Sequence, residues 1–226
     1  MQKDEDREEW TNSERSFADL LEEKNIPYER IKEGENKRPD FKILWNPPCW
    51  VEVKEHYSDS RISFKRSYEK IRMEAERTPE SNLRFTIKNK LQDINEKFNG
   101  LIDKKTLIVY SDRSLREKTP TKIIFESHIK DNKPHLGVPH INSWTPTKDC
   151  KEFENSFIDS VLDLILILDN TNNKILDIVF KKDILLGKDL DNYFKNFFNK
   201  LFNIDNFKLC NLSDNKKSQF FYGKIE

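Results

Sequence analysis

The chain has 226 residues, and its 40 Lys and Arg residues are balanced by 40 Asp and Glu residues. That length suits one sizeable core, and the zero net charge provides no global basic field for binding nucleic acid. Sixteen Phe and only five Gly argue against a disordered chain. The three cysteines are widely spaced, which predicts neither disulfides nor a zinc ribbon and suits a cytoplasmic protein. The sequence has no long apolar run, so we expect neither a signal peptide nor a membrane span.

The first predicted element is a helix over Thr11–Asn25, with Asn12 or Ser13 as its N-cap. Helical spacing places Glu14 on the same face as the apolar residues Phe17, Ala18 and Leu21. We therefore expect the Glu14 carboxylate to point inward, whereas those of Glu22 and Glu23 should point outward. A simpler role for Glu14 is that of an acidic residue in the first turn, which the helix dipole favours.

After a short predicted strand at Tyr28–Lys32, two strand-like runs, Asp40–Trp45 and Trp50–Lys54, flank a turn and predict a β-hairpin. Alternation along the second strand puts Glu52 and Lys54 on one face. Strict pairing of the two tryptophans would turn Asp40 to the other face, so convergence requires a one-residue slip, a bulge or a bent strand. With such a slip, two carboxylates and one ammonium group converge.

This combination of side chains suits phosphodiester hydrolysis. Two carboxylates can bind a hard cation such as Mg²⁺, and a nearby lysine can hold a water molecule or a developing negative charge. An acidic residue two positions before a lysine is common in a chain this rich in charge, so a solvated edge strand is the simpler alternative. However, only Glu52 and Lys54 follow a Pro-Asp pair at hairpin distance.

The sequence Pro39-Asp40, a gap of eleven residues and then Glu52-Val53-Lys54 resembles the signature of the PD-(D/E)XK nuclease superfamily. The resemblance implies that Asp40, Glu52 and the Val53 carbonyl bind Mg²⁺, for which Mn²⁺ can substitute. It also implies that Lys54 positions the attacking water and that Glu14, on the preceding helix, completes the metal shell. The implied fold is α/β, with a central mixed β-sheet flanked by helices.

Arg61–Arg77 is predicted to be a helix because Phe64, Tyr68, Ile71 and Ala75 recur along one side. A neighbouring side carries three basic residues, which are candidates for contacting phosphates of nucleic acid because they follow Lys54 closely: Arg61, Lys65 and Arg72. A solvated helix face is the commoner role for such a run of charges.

Asn82–Phe98 is predicted to be a second helix, followed by a buried strand at Thr106–Tyr110. By resemblance to the same superfamily, Lys90 and Gln92 on this helix are candidates to lie near the scissile phosphate. Polar residues that flank an apolar stripe are usually only surface residues, so this assignment is the weaker one.

From Ser111 onward the resemblance ends. The pattern predicts a strand at Lys122–Ile129, a proline-containing loop at Lys130–Asp149, a hairpin whose second strand is Lys174–Lys181, a helix at Asp189–Phe202 and an edge strand at Gln219–Ile225. The hairpin and the Phe-rich helix carry more apolar residues than one small sheet needs to cover, and cutting a duplex suits a two-fold assembly. We therefore expect a homodimer formed through this half.

The sequence thus predicts a single nuclease domain over residues 1–226, with a catalytic core at 11–112 and a C-terminal elaboration at 113–226 made of a hairpin and a helix. Its expected activity is Mg²⁺-dependent hydrolysis of phosphodiester bonds, with DNA as the expected substrate, in restriction, repair or defence. The alternative is a non-catalytic nucleic-acid-binding or protein-assembly module that retains the fold.

Overall fold

The structure is a computed structural model that describes residues 7, 9–32, 37–56, 62–67, 72–77, 83–115, 120–130, 133–144, 147–181, 185–186, 189–204, 207–210 and 220–225. Within these residues the helices are α1 (Asn12–Glu23), α2 (Leu83–Lys97), α3 (Thr147–Ile158) and α4 (Asn192–Phe202). The strands are β1 (Tyr28–Arg30), β2 (Phe41–Ile43), β3 (Cys49–His56), β4 (Ile62–Ser67), β5 (Arg72–Arg77), β6 (Lys104–Ser111), β7 (Pro120–Lys130), β8 (Lys133–Trp144), β9 (Leu164–Asp169), β10 (Ile175–Lys181), β11 (Leu185–Leu186), β12 (Asp189–Leu190), β13 (Phe207–Cys210) and β14 (Phe220–Ile225).

The fold is α/β, as predicted, with an open mixed sheet at its centre. Eight strands form this sheet in the order β1-β2-β3-β6-β9-β10-β14-β13. The central pairs β3–β6 and β6–β9 are parallel, whereas the outer pairs are antiparallel. The sheet draws strands from both sides of the predicted boundary after residue 112, so the C-terminal half extends the same sheet that carries the hairpin β2–β3.

Helices cover both faces of the central sheet. On one face, α1 and α4 pack against strand residues such as Val51 and Val53 of β3. On the other face, α2 and the end of α3 pack against residues such as Leu107 and Val109 of β6. Because neighbouring side chains on a strand point to opposite faces, Glu52 lies on the α2 face, between two valines that lie on the α1 face.

Most elements that the sequence predicts from local periodicity are confirmed. The N-cap of helix α1 is Thr11, instead of the predicted Asn12 or Ser13, because Thr11 and Glu14 form a reciprocal capping box. Helix α2 buries the predicted apolar stripe, and the hairpin β9–β10 turns at residues 169–173 as expected. Asn173 supplies a left-handed residue in that turn, with φ of 56°.

The helix predicted over Arg61–Arg77 is wrong. The structure has an antiparallel hairpin there, with Phe64 of β4 opposite Ala75 of β5. Strand β5 also pairs with β7, which places both in a second sheet of order β4-β5-β7-β8. The apolar residues of this segment fit strand alternation as well as helical spacing, and backbone pairing with β7, about fifty residues away, decided between the two.

Two further predictions in the C-terminal half need correction. The described residues within Lys130–Asp149 form strand β8 and the start of α3, instead of a loop. Pro134 and Pro139 are tolerated because β8 lies at the edge of the second sheet, where a missing backbone N–H removes fewer ladder hydrogen bonds. The strand predicted at Gln219–Ile225 exists as β14, but it lies between β10 and β13 instead of at an edge.

The Phe-rich stripe of α4 packs within the chain. Four of its residues are buried in the core on the α1 face: Phe194, Phe197, Phe198 and Leu201. Their burial confirms the predicted helix and its core role, and it removes the excess apolar surface on which the expected homodimer was argued. Among the described residues, none of the helices has both the length and the apolar character needed to cross a bilayer.

Candidate active site

The register of the β2–β3 hairpin brings Asp40 and Glu52 to the same face of the sheet. Phe41 pairs with Val51, and Lys42, instead of Trp45, stands opposite Trp50. Continuing this register by one residue sets Asp40 opposite Glu52. The slip is therefore three residues instead of the one expected. Because three is also an odd number, it has the same effect of turning Asp40 toward Glu52.

Glu52 is fully buried and is held by two ammonium groups. Its Oε1 atom lies 2.5 Å from Lys54 Nζ and 2.6 Å from Lys97 Nζ. Its Oε2 atom is buried without a hydrogen-bond donor. A buried carboxylate oxygen without a partner is unfavourable, so Oε2 is an atom at which a further cation or donor would be stabilising.

Asp40 is almost as deeply buried, with 3% of its surface exposed. Its Oδ2 atom accepts a hydrogen bond of 2.8 Å from the Val53 N–H, which fixes the carboxylate to the next strand. Its Oδ1 atom lies 3.8 Å from Arg30 Nη1 and 4.0 Å from Lys97 Nζ, beyond hydrogen-bond distance. Burial, reinforced by the nearby Glu52 charge, raises the pKa of the Asp40 carboxyl above its ordinary value.

Lys54 lies beside Glu52 and emerges on the same face of β3. Burial by itself would lower the pKa of its ammonium group, but the attraction of Glu52 and Asp40 outweighs burial and the pKa is raised. Lys54 therefore carries a positive charge beside two carboxylates. This convergence of Asp40, Glu52 and Lys54 is the arrangement that the hairpin pattern predicts.

Glu14 points inward, as predicted, but its partner is an arginine. Its Oε1 atom lies 2.5 Å from Arg30 Nη2, and its Oε2 atom accepts a hydrogen bond of 2.7 Å from the Thr11 N–H. Arg30 also donates a hydrogen bond of 2.8 Å to the Asp40 carbonyl and lies over the Phe41 ring. Glu14 thus approaches Asp40 from the α1 face, through Arg30, whereas Glu52 lies on the α2 face.

A cavity of about 580 Å³ opens over the outer side of this cluster. Asp40, Glu14, Arg30, Lys54 and the predicted nucleic-acid-binding residue Lys90 line it, together with Trp10, Val53 and Glu55. Glu52 is not among the residues that line the cavity. Partial burial and the nearby Lys54 charge lower the pKa of Lys90, which indicates a cation held close to another cation.

The other predicted contacts to nucleic acid fall elsewhere. Gln92 lines a separate groove between α2 and α3, so the structure does not bring it to Asp40 and Glu52. Arg61 lies outside the described residues. The backbone positions of Lys65 and Arg72 are on β4 and β5, so the helix face on which they were predicted to cluster does not exist.

Lys97 and Arg30 are the site residues that sequence reasoning missed. Lys97 is 45 residues from Glu52 in the sequence and ends α2, where a C-terminal lysine is an ordinary choice that complements the helix dipole. The predicted strand at Tyr28–Lys32 contains Arg30, but nothing in the strand pattern marks it. Inward-facing Glu14, which needs a positive partner, is the one signal that could have indicated it.

The donor set fits Mg²⁺ in chemical type. Asp40 Oδ1 and Glu52 Oε2 are hard oxygen atoms that lack a close donor, and Mg²⁺ is commonly held by one or two carboxylates with water molecules completing its shell. Across the described part of the chain there is no group of three or more His, Cys, Asp or Glu side chains arranged around a metal. Asp40 and Glu52 are thus the two carboxylates of the candidate metal site, and Glu14 is paired with Arg30.

Comparison of the chain with protein-family models, curated proteins and solved structures finds no match. The resemblance of the hairpin to PD-(D/E)XK nucleases therefore stays a prediction based on Asp40, Glu52 and Lys54.

Proposed function

We propose that this protein is a Mg²⁺-dependent nuclease that hydrolyses phosphodiester bonds, with DNA as the expected substrate. The observation that carries the proposal is the convergence of Asp40, Glu52 and Lys54 on one face of a hairpin, next to an open cavity. Burying two like charges together is costly, and a functional site is a common reason to retain such an arrangement.

In this proposal, Asp40 and Glu52, with the Val53 carbonyl, would hold the metal. A bound Mg²⁺ would supply positive charge that polarises the phosphate and eases ionisation of a water molecule. Lys54, charged and lining the cavity, orients the attacking water and stabilises negative charge that develops on the phosphate. Arg30 fixes Asp40 by donating to its carbonyl, and Lys90 attracts the nucleic-acid backbone toward the cavity.

The experiment that tests the proposal incubates purified protein with plasmid, linear and single-stranded DNA and with RNA, in Mg²⁺, Mn²⁺, Ca²⁺ or chelator. Cleavage is expected in Mg²⁺ and Mn²⁺. Ca²⁺ should support binding without turnover, because it is larger and less demanding of octahedral geometry. Asp40→Asn provides the matched inactive control. Cleavage that survives chelator, or that Asp40→Asn retains, would refute the assignment.

A second candidate is a non-catalytic binding module that retains this fold. It is favoured by one observation: Glu14, Asp40 and Glu52 are matched in number by Arg30, Lys54 and Lys97, so the cluster is neutral without a metal. Binding of nucleic acid that is independent of divalent ions and without cleavage on any of the four substrates would support this candidate. A homodimer stays a prediction for either function, and sedimentation at micromolar concentration tests it.

A further inference from the structure

Lys97 contacts both carboxylates of the candidate site at once. Its Nζ atom lies 2.6 Å from Glu52 Oε1 and 4.0 Å from Asp40 Oδ1, and only 16% of its side chain is exposed. A bound cation would likewise place positive charge next to both buried carboxylates. Lys97 therefore does, in the metal-free protein, what a divalent ion would do in the loaded protein.

The attachment of Lys97 to the fold makes it easier to displace than Lys54. Lys54 is two residues from Glu52 on the same strand, so both side chains leave β3 on one face as neighbours. Lys97 reaches the site from the last residue of α2, through a long and flexible side chain.

Polar groups that favour a cation lie within one helical turn of Lys97. The carbonyl groups at the end of α2 favour a cation. Exposed Asp93 lies one helical turn before Lys97; its pKa is lowered mainly by the hydrogen bond and charge of Lys37, 3.0 Å away, and the charge of Lys97 adds to that effect. A displaced ammonium group would therefore find favourable partners within reach, which reduces the cost of leaving Glu52.

We propose that Lys97 is a displaceable internal counter-ion: it neutralises Asp40 and Glu52 in the metal-free protein and is exchanged for the divalent cation when the site is loaded. The inference rests on the proposed function in that it assumes a metal site at these two carboxylates. Its consequence is that Lys97 lowers the metal affinity of the site while it stabilises the metal-free fold.

The main test compares Mn²⁺ and Mg²⁺ binding to wild type and to Lys97→Met by titration calorimetry, without nucleic acid. Removing a competing unit charge at this distance should tighten binding by about tenfold or more. The control is Lys88→Met, which removes a lysine of the same helix that pairs with Glu152 instead, at 2.7 Å. This control should leave the affinity unchanged.

If Lys97 only supports the fold, Lys97→Met will bind metal with unchanged or weaker affinity, and that result would overturn the inference. Metal binding by wild type without tightening in the variant leaves the proposed nuclease intact and rejects the exchange. Failure of both proteins to bind any divalent ion rejects the metal site and the exchange together. Binding by the variant alone supports the exchange in its strongest form.

A measurement on wild type covers the case in which Lys97→Met fails to fold. Acetylation of individual lysines, followed by mass spectrometry, reports how accessible each amine is. Lys97 should react slowly in chelator and several-fold faster in saturating Mg²⁺, because exchange releases its amine to solvent, whereas Lys88 should not change. Equal reactivity of Lys97 with and without Mg²⁺ would contradict the exchange.

Discussion

Two carboxylates are buried in the central sheet, Glu52 on β3 and Asp177 on β10, and they are held by different kinds of partner. Asp177 accepts hydrogen bonds at Oδ2 from the Ser114 hydroxyl and, at 2.5 Å, from the Leu115 N–H. Glu52 is held by the ammonium groups of Lys54 and Lys97, and its Oε2 atom has no donor.

This difference distinguishes a carboxylate that serves the fold from one that is suited to chemistry. The Ser114 and Leu115 donors to Asp177 are neutral groups, and the Leu115 donor belongs to the backbone, so it can be displaced only by moving the chain. The partners of Glu52 are charges on flexible side chains, which a metal ion can replace without unfolding. Four predictions test this comparison, from the largest expected effect to the smallest.

Glu52→Gln should reduce Mg²⁺-dependent cleavage by roughly a thousandfold or more, because a metal-binding charge worth several kcal/mol in the transition state is lost. Single-turnover cleavage of a labelled duplex at saturating protein measures this effect. Circular dichroism of the same sample checks that the variant is folded. A folded Glu52→Gln variant that cleaves at the wild-type rate would remove Glu52 from the site.

Asp177→Ala should lower stability and leave cleavage unchanged. It leaves the buried Leu115 N–H without its acceptor, so the free energy of unfolding should fall by about 1–3 kcal/mol, measured by urea denaturation. Cleavage per folded molecule and Mn²⁺ affinity should stay at wild-type values. A loss of metal affinity without a loss of stability would show that the two carboxylates do not differ as described.

Asp40→Asn should separate the effect of a site carboxylate on stability from its effect on cleavage. The measurement is unfolding in chelator as a function of pH. The folded protein holds the Asp40 proton more strongly than the unfolded chain does, because burial and Glu52 raise the pKa of this carboxyl above its ordinary value of 3.8. Stability linked to protonated Asp40 is therefore complete below that ordinary pKa and is lost as pH rises through the folded pKa. The loss is about 1.4 kcal/mol for each pH unit that separates the folded pKa from the unfolded one.

The gain in stability of Asp40→Asn over wild type should consequently grow from acid to neutral pH. Asp93→Asn is a control in which the change with pH has the opposite sign. The Lys37 ion pair lowers the pKa of Asp93, so the stability that ionised Asp93 contributes is lost as pH falls. If the difference between Asp40→Asn and wild type stays constant with pH, Asp40 is not the strained carboxylate that its surroundings indicate.

Glu14→Gln should have the smallest effect. It leaves Arg30 without its carboxylate partner, so the uncompensated guanidinium, 3.8 Å from Asp40 Oδ1, should raise the Mg²⁺ concentration needed for half-maximal cleavage by a few-fold. Glu23→Gln changes an exposed carboxylate on the opposite side of the same helix and should leave that concentration unchanged. An effect as large as that of Glu52→Gln would make Glu14 a direct ligand.

The sequence alone was sufficient where local periodicity decides structure. The inward face of α1 with Glu14, the buried stripe of α2, the turn at 169–173 and the aromatic helix α4 all follow from spacing along a few turns or residues. The same local reasoning found Asp40, Glu52 and Lys54, because strand alternation and a two-residue spacing fix which side chains share a face.

Tertiary structure decided what depends on partners distant in sequence. The three-residue slip of the hairpin is a property of how β2 pairs with β3, and Lys97 reaches Glu52 because α2 lies across the face on which Glu52 emerges. Residues 62–67 and 72–77 form strands, and β7 offers backbone partners to β5. Periodicity indicates which face of an element is apolar. Strand register, crossover connections and charge pairing depend instead on which elements pack against each other, and only the whole folded chain determines that packing.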